Sequence, residues 1–378
     1  MLKMGVIGYG SRVGHVIDGL IREVPECKIT AVCDIRGKAA IEGRLGAEDM
    51  VLYDTPEQML EEANLDGVLI GTRCSLHTEM AIKVFQKGIP LFLEKPVSTN
   101  MKDLLRLKEA SEASSSEVVV SFPLRLTSMV QMVKEIVDSG KIGSVEHVQA
   151  FNNVPYGNVY YQNWYRDEDE TQGLFLQKAT HDFDYINYVL QIKPTEVCAM
   201  TSKQIFKGNK PAGLKCVDCE ENRTCSESTA FRSDDVKEAW PYCCFAEDTG
   251  NEDSGSAIVR YETGMHVSYT QNFFVKREAG TRGARFLGHK GTVEFDFMTG
   301  IIKVFMHHTP RVETYEFKSG DDGHFGGDSK LYHNFADVMR GKAKSLSSIE
   351  DGLMSALMCI KARHSDATRT FKSLEWRE

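Results

Sequence analysis

The stretch LKMGVIGYGSRVG, residues 2–14, runs from an apolar strand through a glycine-containing turn into the start of a helix. Up to about Phe122, further apolar strand-like runs alternate with helical patterns, and such alternation indicates parallel βαβ units. We therefore predict that residues 1–122 form an α/β domain with a doubly wound parallel sheet. Its helices are expected near residues 12–23, 76–87 and 101–113, with one more after Thr55-Pro56.

The glycine turn is a candidate nucleotide site. Gly8 and Gly10 allow a tight turn and let the backbone approach a pyrophosphate, which the N-terminus of the following helix attracts. Ser11 and Arg12, in the first turn of that helix, are candidate contacts. Because Val13 stands where the G-x-G-x-x-G pattern has its third glycine, the match is weak alone, and a plain strand-to-helix turn is the alternative.

The end of the second predicted strand strengthens the nucleotide interpretation. Asp34 lies 24 residues after Gly10, where a carboxylate accepts hydrogen bonds from the 2′-hydroxyl of an adenosine ribose. The same carboxylate repels a 2′-phosphate. We therefore expect NAD as the cofactor, and NADP is less expected, although Arg36 is able to pair with that phosphate.

Beyond Arg125 the pattern changes. Longer segments with period-two alternation, such as SVEHVQAFNN and GTVEFDFMTGIIKVFMHH, are joined by glycine-containing turns, which is typical of an antiparallel sheet with one solvated or partner-covered face. Helices are predicted near residues 127–139, 176–190 and 330–364. We predict that residues 123–378 form an α+β domain with a large, mainly antiparallel open sheet.

Composition limits the class of partner. The 378 residues carry a net charge of −9 and a pI near 5.7, whereas binding a nucleic acid or an anionic membrane requires a basic face. There is no apolar run long enough to span a membrane, and MLKMGVIGYG leads straight into a strand and turn rather than a signal region. We expect a cytoplasmic protein with a small-molecule partner, and neither nucleic acid nor membrane.

A second informative segment is IPLFLEKPVST, residues 89–99, whose apolar run ends in Glu94, Lys95 and Pro96. The run predicts a buried parallel strand, and ligands of such sheets bind beyond the carboxyl ends of the strands. With the nucleotide-binding first half and THDFD at 180–184, it resembles the Gfo/Idh/MocA oxidoreductase family. The resemblance covers nearly the whole chain and includes GHKGTVEFD at 288–296.

The resemblance implies a Rossmann domain followed by a substrate domain whose open sheet often serves in oligomer formation, and hence a homodimer or homotetramer. It implies that Lys95 lies beside the nicotinamide and the substrate hydroxyl, where its ammonium stabilises negative charge on the reacting oxygen. It also implies that His181 is the catalytic histidine, because an imidazole is suited to accept the hydroxyl proton. A buried, hydrogen-bonded structural histidine is the alternative for His181.

The sequence departs from the family pattern at Gln177, since an acid usually stands four residues before the histidine. Glutamine does not relay a proton, so either His181 acts without that partner or Asp182, Asp184 or Lys178 contributes. Residues three apart share a helix face, which places Lys178, His181 and Asp184 on the same side. We predict that Lys178 and Asp182 contact the substrate and that Asp184 has an orienting or structural role.

Several other side chains are candidate contacts. Arg125, at the domain junction, suits a substrate hydroxyl or carboxylate, and an interdomain salt bridge is equally open. Tyr156 and Trp164 suit the face of a sugar, although sheet packing explains most such aromatic clusters. The remaining candidate cofactor contacts are Thr72, His77 and Glu94, and for His77 packing at a helix N-terminus is the alternative.

Five of the ten cysteines fall between Cys216 and Cys244. Close pairs followed by distant thiols are able to surround tetrahedral zinc, so Cys216, Cys219, Cys225 and Cys244 are candidate ligands of a structural metal. Free thiols, disulfides and an iron–sulfur cluster are the alternatives. We expect such a crosslink to order a cysteine-rich insertion at about residues 207–245.

The leading functional hypothesis is an NAD(P)-dependent oxidoreductase that transfers a hydride between nicotinamide and a secondary alcohol of a sugar, glycoside or cyclitol. A redox-neutral, NAD-dependent glycoside hydrolase or lyase is an alternative, and it would form product without net NADH. A non-catalytic sugar- or nucleotide-sensing regulator is a third hypothesis, which the presence of both Lys95 and His181 disfavours.

Overall fold

The computed structural model describes residues 1–317 and 323–377, and its first part is a parallel sheet. The six strands are β1 (Leu2–Ile7), β2 (Cys27–Cys33), β3 (Val51–Leu52), β4 (Gly67–Ile70), β5 (Leu91–Leu93) and β6 (Val118–Val120). They pair in the order β3-β2-β1-β4-β5-β6, and every pair is parallel. The residues of β4, β5 and β6 are all buried, as expected for a sheet covered on both faces. The predicted doubly wound sheet is confirmed.

Helices follow the strands of this sheet. They are α1 (Ser11–Glu23), α2 (Pro56–Glu62), α3 (His77–Phe85) and α4 (Met101–Glu112). Local sequence sets two of the starts, because the Thr55 hydroxyl accepts a hydrogen bond from the backbone N–H of Gln58 at 3.1 Å, and the Asn100 side chain accepts one from that of Asp103 at 2.9 Å. The N-terminus of each helix lies at the end of the sheet where the carboxyl ends of the strands meet.

The second part of the chain builds a nine-stranded sheet. Its strands are β7 (Val145–Asn153), β8 (Pro194–Ser202), β9 (Ser254–Tyr261), β10 (His266–Asn272), β11 (Thr281–Gly288), β12 (Gly291–Asp296), β13 (Ile301–Met306), β14 (Val312–Glu316) and β15 (Lys372–Ser373). The order is β14-β13-β12-β11-β7-β10-β9-β8-β15. Strands β7 and β10 are parallel and the other pairs are antiparallel, so the sheet is mixed but mostly antiparallel, as predicted.

One face of this sheet is covered by helices. The helices of the second part are α5 (Ser128–Asp138), α6 (Val159–Gln162), α7 (Glu168–Thr171), α8 (Thr180–Leu190), α9 (Asp234–Ala239), α10 (Gly327–Met339) and α11 (Ile349–Thr368). Helix α11 packs on α8 and on β8, whereas alternate residues of β9 are exposed on the opposite face. None of the described helices combines the length and the apolar character needed to cross a membrane.

The chain returns to the first sheet near its end. Helix α10 packs on α1, where a Cβ on Gly19 would lie 2.3 Å from the Tyr332 ring, so glycine permits the close approach. The predicted helical segment 330–364 is therefore two helices with separate partners, and the chain turns at Gly341 with a φ of +68°. The boundary at residue 122 marks the end of the parallel sheet in chain order, but α10 belongs spatially to that sheet. Residues 207–245 form an excursion between the paired strands β8 and β9.

Candidate active site

The turn after β1 has the shape that a dinucleotide pyrophosphate requires. Gly8 has a φ of +76°, and a Cβ there would lie 2.7 Å from the backbone nitrogen of Thr72, so glycine lets the loops after β1 and β4 touch. Helix α1 begins at Ser11, and its N-cap residue Gly10 provides no side-chain cap. The N–H groups of the first turn are thus left for a ligand of negative charge. These residues fit the pyrophosphate of NAD, which the backbone of the turn would hold.

Asp34 is held in a fixed position after β2. One carboxylate oxygen accepts a hydrogen bond from the backbone N–H of Tyr9 at 2.7 Å, and the other accepts the backbone N–H and the Nε–H of Arg36, each at 2.9 Å. Burial raises the pKa of Asp34, but the hydrogen bonds from Arg36 and Tyr9 outweigh burial and the pKa is lowered. A fixed anion at this place suits a ribose diol, and Arg36 is engaged with it.

Arg12 reaches from the first turn of α1 to two carboxylates. Its terminal nitrogens donate to Asp328 at 3.1 and 2.6 Å, and its Nε lies 3.3 Å from Glu94 Oε1. Asp328 is in the first turn of α10 and also contacts Nδ1 of His324 at 3.0 Å. Two predicted cofactor contacts, Arg12 and Glu94, therefore lie against each other, and they connect the glycine turn with the segment around His324.

His77 connects the loops after β4 and β5. Its ring nitrogens lie 2.7 Å from the carbonyl oxygen of Pro96 and 3.2 Å from that of Thr72, and the residue is buried. Burial lowers the pKa of His77, so the ring is neutral and its single N–H donates to one of the two carbonyls. The geometry gives His77 a positioning role for Thr72 and for the backbone after Lys95.

Lys95 follows β5 directly and points into the second domain. The Lys95-Pro96 bond is cis, and the Lys95 ammonium donates to the backbone carbonyl of Gln177 at 2.8 Å. Burial lowers the pKa of Lys95 to about 8. The Gln177 amide itself points elsewhere, because its Nε2 donates to the carbonyl of Thr171 at 2.9 Å. Gln177 therefore positions Lys95 through its backbone, and its side chain makes no hydrogen bond to His181.

His181 lies in the first turn of α8, immediately after a π-helical turn at Phe175–Ala179. The residue is 6% exposed, and its Nδ1 is buried without a hydrogen-bond partner in the described part of the chain. Burial, reinforced by the charges of Lys95 and Arg282, lowers the pKa of His181 well below its ordinary value. The imidazole is thus neutral, and the hydrogen-bonded structural alternative does not describe it.

A cavity of about 370 Å³ opens beside His181. It is lined by Asn152, Asn153, Val154, Pro155, Tyr156, Lys178, His181, Arg282, Met298, His324 and Phe325. The structure thus brings the predicted residues Tyr156, Lys178 and His181 to one pocket. Sequence reasoning missed Arg282 and His324, which no local motif marks, and it missed Asn152 and Asn153, whose polar pair at the end of β7 was the available signal.

Lys178 is the cation of this pocket closest to the aromatic cluster. Its ammonium donates to the Tyr156 hydroxyl at 2.7 Å and lies 4.8 and 5.5 Å from the ring centroids of Tyr156 and Tyr160. Burial opposes the charge, but the two phenols favour it, and the pKa of Lys178 is raised. Lys178 therefore enters the pocket as an ammonium.

Asp182 lies beneath the pocket and not in it. It is fully buried, and its oxygens accept hydrogen bonds from Asn152, Tyr269 and Arg282, each at 2.8 Å. These three contacts use the carboxylate that we expected to meet the substrate. Asp182 instead holds Arg282 and Asn152 in the pocket wall.

Arg125 and Asp184 form a buried ion pair where the segment after β6 meets α8. Arg125 donates from Nε to Asp184 at 3.0 Å, and from Nη1 to Asp351 at 2.8 Å and to the Leu346 carbonyl at 3.1 Å. Arg125 is therefore engaged in salt bridges within the second part of the chain and does not line the pocket, and its contact with a substrate remains a prediction. Asp184 is engaged in this ion pair, and its orienting or structural role remains a prediction.

Trp164 lies outside the pocket lining. The Arg73 guanidinium is 3.9 Å from the centre of its ring, and the ring stacks on Tyr165 at 3.9 Å. Trp164 thus packs against the loop after β4, which the glycine turn after β1 also contacts. Its predicted contact with a sugar face remains a prediction.

The zinc prediction is not supported. Within residues 1–317 and 323–377, no group of three or more histidine, cysteine or acidic side chains is placed to hold a metal ion, and all ten cysteines are free thiols. The physical reason is clearest at Cys244, which is 1% exposed in an apolar cluster with Tyr161 and Phe206. Burial raises the pKa of the Cys244 thiol and so opposes the thiolate that a metal requires. Cys216 instead contacts the Tyr242 carbonyl and the Gln162 amide.

Comparison with known proteins agrees with this geometry. Residues 2–122 match the family model described as "Oxidoreductase family, NAD-binding Rossmann fold", and residues 130–294 match "GFO/IDH/MocA C-terminal domain". The chain is 26% identical over 326 residues to "Putative oxidoreductase YteT" of Bacillus subtilis, a match that covers 76% of this chain and 75% of that protein. It is 27% identical over 202 residues to the myo-inositol 2-dehydrogenase of Thermotoga maritima, covering 52% of this chain and 58% of that protein.

A solved structure extends the likeness to the whole fold. Levoglucosan dehydrogenase in complex with NADH has a TM-score of 0.78 to this chain at 15% identity, and the match covers 99% of each chain. At this identity the likeness concerns the fold alone. The two family models together match most of the residues, in the order in which the two sheets follow each other. This chain therefore belongs to the Gfo/Idh/MocA family of oxidoreductases.

Proposed function

We propose that this oxidoreductase is an NAD-dependent dehydrogenase acting on a secondary alcohol of a sugar, glycoside or cyclitol. The identity to an inositol dehydrogenase supports the substrate class. The observation that carries the proposal is the meeting of Lys95, from the parallel sheet, with His181, from the second domain. The Lys95 ammonium binds the Gln177 carbonyl one helical turn before His181. Burial is the main cause of the lowered pKa of His181, and the charge of Lys95 lowers that pKa further.

The two side chains divide the proton chemistry. Nδ1 of His181 is sealed in the interior, so the neutral ring accepts the hydroxyl proton at Nε2. The Lys95 ammonium leaves the Gln177 carbonyl, donates a hydrogen bond to the reacting oxygen and stabilises its negative charge. NAD bound at the glycine turn would supply the hydride acceptor for the carbinol carbon. The alcohol would thus lose its hydroxyl proton to His181 and a hydride to the cofactor, and the reverse reaction would reduce the ketone.

The preference for NAD over NADP is part of the proposal. The ionised Asp34 carboxylate lies where the ribose hydroxyls are expected and would repel a 2′-phosphate. The Arg36 side chain, the alternative partner for that phosphate, already donates two hydrogen bonds to Asp34 and one to the Tyr9 carbonyl. A preference for NADP in parallel assays would contradict this part.

The test is to incubate the purified protein with NAD, and separately with NADP, and a panel of sugars, cyclitols and glycosides. NADH absorbance and product masses are followed in the same tubes. We expect one NADH per product and a product two hydrogens lighter than the substrate. A cleaved glycoside without accumulating NADH would contradict net oxidation and favour the redox-neutral hydrolase. Lys95→Met is the matched inactive control, because it keeps a chain of similar length and removes the charge.

We also propose that the exposed face of the second sheet joins copies of the chain into a dimer or tetramer. Met200 on β8 and Ile258 on β9 are 73% and 49% exposed on neighbouring strands. Sedimentation of the protein at micromolar concentration tests this. Ile258→Lys should dissociate the oligomer, and a monomeric parent protein would contradict the proposal.

A further inference from the structure

The pocket beside His181 contains two cations that are more than nine-tenths buried. Lys178 and Arg282 are each 8% exposed, and both line the cavity. Buried charges are normally paired or fully hydrogen-bonded. The hydrogen bonds of these two side chains are incomplete in a way that points to a ligand.

Arg282 has a donor without an acceptor. Its Nε donates to Asp182 at 2.8 Å, but its Nη2 is buried and has no hydrogen-bond partner among the described residues. Asp182 also accepts from Asn152 and Tyr269. Nη2 itself is closed off from solvent, but Arg282 lines the cavity, and its Nη1 has no hydrogen bond to a described residue, so Nη1 is the donor left for a molecule in the cavity.

Lys178 has a charge without a counterion. In the described ranges no carboxylate oxygen lies within 4.0 Å of its ammonium, which has only the Tyr156 hydroxyl and two aromatic rings as partners. The hydroxyl uses one of the three N–H donors of the ammonium. The other donors of Lys178 and the free nitrogen of Arg282 are available to a molecule in the cavity.

The neutral side chains of the pocket do not offer the same opportunity. The Asn152 amide donates to Asp182 at 2.8 Å, and the Asn153 amide donates to the Thr281 hydroxyl at 2.7 Å. Recognition thus falls to the cations. Among the residues that the structure describes, Asp182 balances Arg282 and Lys95 is assigned to the reacting oxygen, so one uncompensated charge remains at Lys178. One excess positive charge matches a monoanion.

We propose that the substrate carries a carboxylate, as a sugar acid does, and that Lys178 and Arg282 bind this carboxylate. The proposal rests on the function proposed above and narrows its substrate class. A carboxylate accepts hydrogen bonds from Lys178 and Arg282 at once, and such charge-assisted bonds are stronger than those to a sugar hydroxyl. A phosphate ester presents related chemistry, but its second negative charge has no matching cation here.

The test is calorimetric binding to the protein saturated with NAD. The probes are glucuronate, galacturonate and mannuronate, each with its methyl ester and its neutral hexose, together with glucose 6-phosphate. We expect at least one acid to bind about tenfold or more tighter than its ester and hexose. Equal or undetectable binding of all three acids overturns the proposal, and so does tightest binding by the phosphate ester.

Two variants assign the effect to the pocket. Lys178→Met should remove the preference for the acid, and Arg282→Lys should weaken it while leaving a cation on Asp182, so that the fold is retained. Lys303→Met is the matched control, because Lys303 is an exposed lysine on β13. If Lys303→Met lowers acid affinity as much as Lys178→Met, the proposal is wrong.

NADH formation in the same samples separates the two proposals. Turnover of neutral sugars without any preference for acids would support the proposed dehydrogenase activity and contradict the proposed recognition of a carboxylate. A preference for acids without NADH formation would support the proposed carboxylate site and contradict the proposed dehydrogenase activity.

Discussion

Helix α8 carries two aspartates that each bind a buried arginine, but the arginines differ in what they leave free. Asp184 binds Arg125, which follows β6, and every nitrogen of that guanidinium donates a hydrogen bond. Asp182 binds Arg282 of β11, whose Nη2 is buried without a partner among the described residues. Residues two apart on a helix face in different directions, so one pair faces the first domain and the other the second sheet.

The difference teaches how to interpret a buried arginine. The guanidinium of Arg125 connects the segment after β6 with α8 and α11, and each of its three nitrogens has an acceptor within the protein. The unsatisfied guanidinium of Arg282 lines the cavity beside His181. Burial and an aspartate partner are common to both, and only the count of unused donors separates a structural contact from a binding one.

The largest expected effect is a loss of stability on breaking the pair of Arg125 and Asp184. Arg125→Met leaves Asp184 buried without its cation, and loss of one partner of a buried pair costs about 3–5 kcal/mol. We expect urea denaturation to show a loss of unfolding free energy of that size. The double variant Arg125→Met/Asp184→Leu should recover most of it, because no charge is then stranded.

Arg282→Lys is the matched variant for the pair of Arg282 and Asp182. It keeps a cation on Asp182, so its unfolding free energy should fall by only about 1 kcal/mol. If Arg125→Met costs no more than this, the distinction between the two arginines fails.

The next largest effect is on kcat and concerns Lys95. Lys95→Met removes the ammonium that stabilises the reacting oxygen, and loss of such a group lowers kcat on the order of 10²–10³-fold. The affinity for NAD, followed by fluorescence titration, should stay within about twofold, because the glycine turn and Asp34 are unchanged. Full turnover in Lys95→Met would remove Lys95 from the mechanism, and lost NAD binding would give it a structural role.

A smaller effect is expected with pH. Burial lowers the pKa of Lys95 to about 8, so the side chain is charged below that pH and neutral above it. The value of kcat/KM should therefore fall as pH rises through about 8, by about tenfold per further unit. The pKa of His181 is lowered well below its ordinary value, so the histidine stays neutral and no loss is expected on acidification to about pH 6.5. A profile that stays level up to about pH 9.5 would contradict the role of the Lys95 charge.

Local patterns predict one side of the molecule better than the other. Short runs of sequence identify the glycine turn, Asp34 and the strand before Lys95. A parallel sheet places the carboxyl ends of its strands at the same edge, so the proximity of these features follows from the fold. The pocket instead joins Asn152, Arg282 and His324, which are far apart in sequence and come together through the order of the second sheet. That order includes the parallel pair β7 and β10, which no alternation pattern reveals. Helix periodicity likewise does not say which face of α8 meets the cavity, so it leaves Asp182 as a candidate substrate contact, whereas its carboxylate binds Asn152, Tyr269 and Arg282 beneath the pocket.

The smallest expected effect tests whether the hydrogen-bond network around Arg125 is independent of the pocket beside His181. Ser348 caps α11 together with Asp351, and Asp351 also accepts from Arg125 at 2.8 Å. Ser348→Ala removes one capping hydrogen bond and should lower the unfolding free energy by about 1 kcal/mol. Ser348→Thr keeps the hydroxyl and is the control.

Because Ser348 reaches Arg125 through Asp351 and does not line the cavity, KM for the substrate should be unchanged in both variants. Steady-state kinetics at a temperature well below the unfolding midpoint measure this. A KM that changes in Ser348→Ala but not in Ser348→Thr would mean that the network around Arg125 transmits strain to the pocket. The two arginines that bind the aspartates of α8 would then be parts of one coupled system, and the count of unused donors would no longer separate their roles.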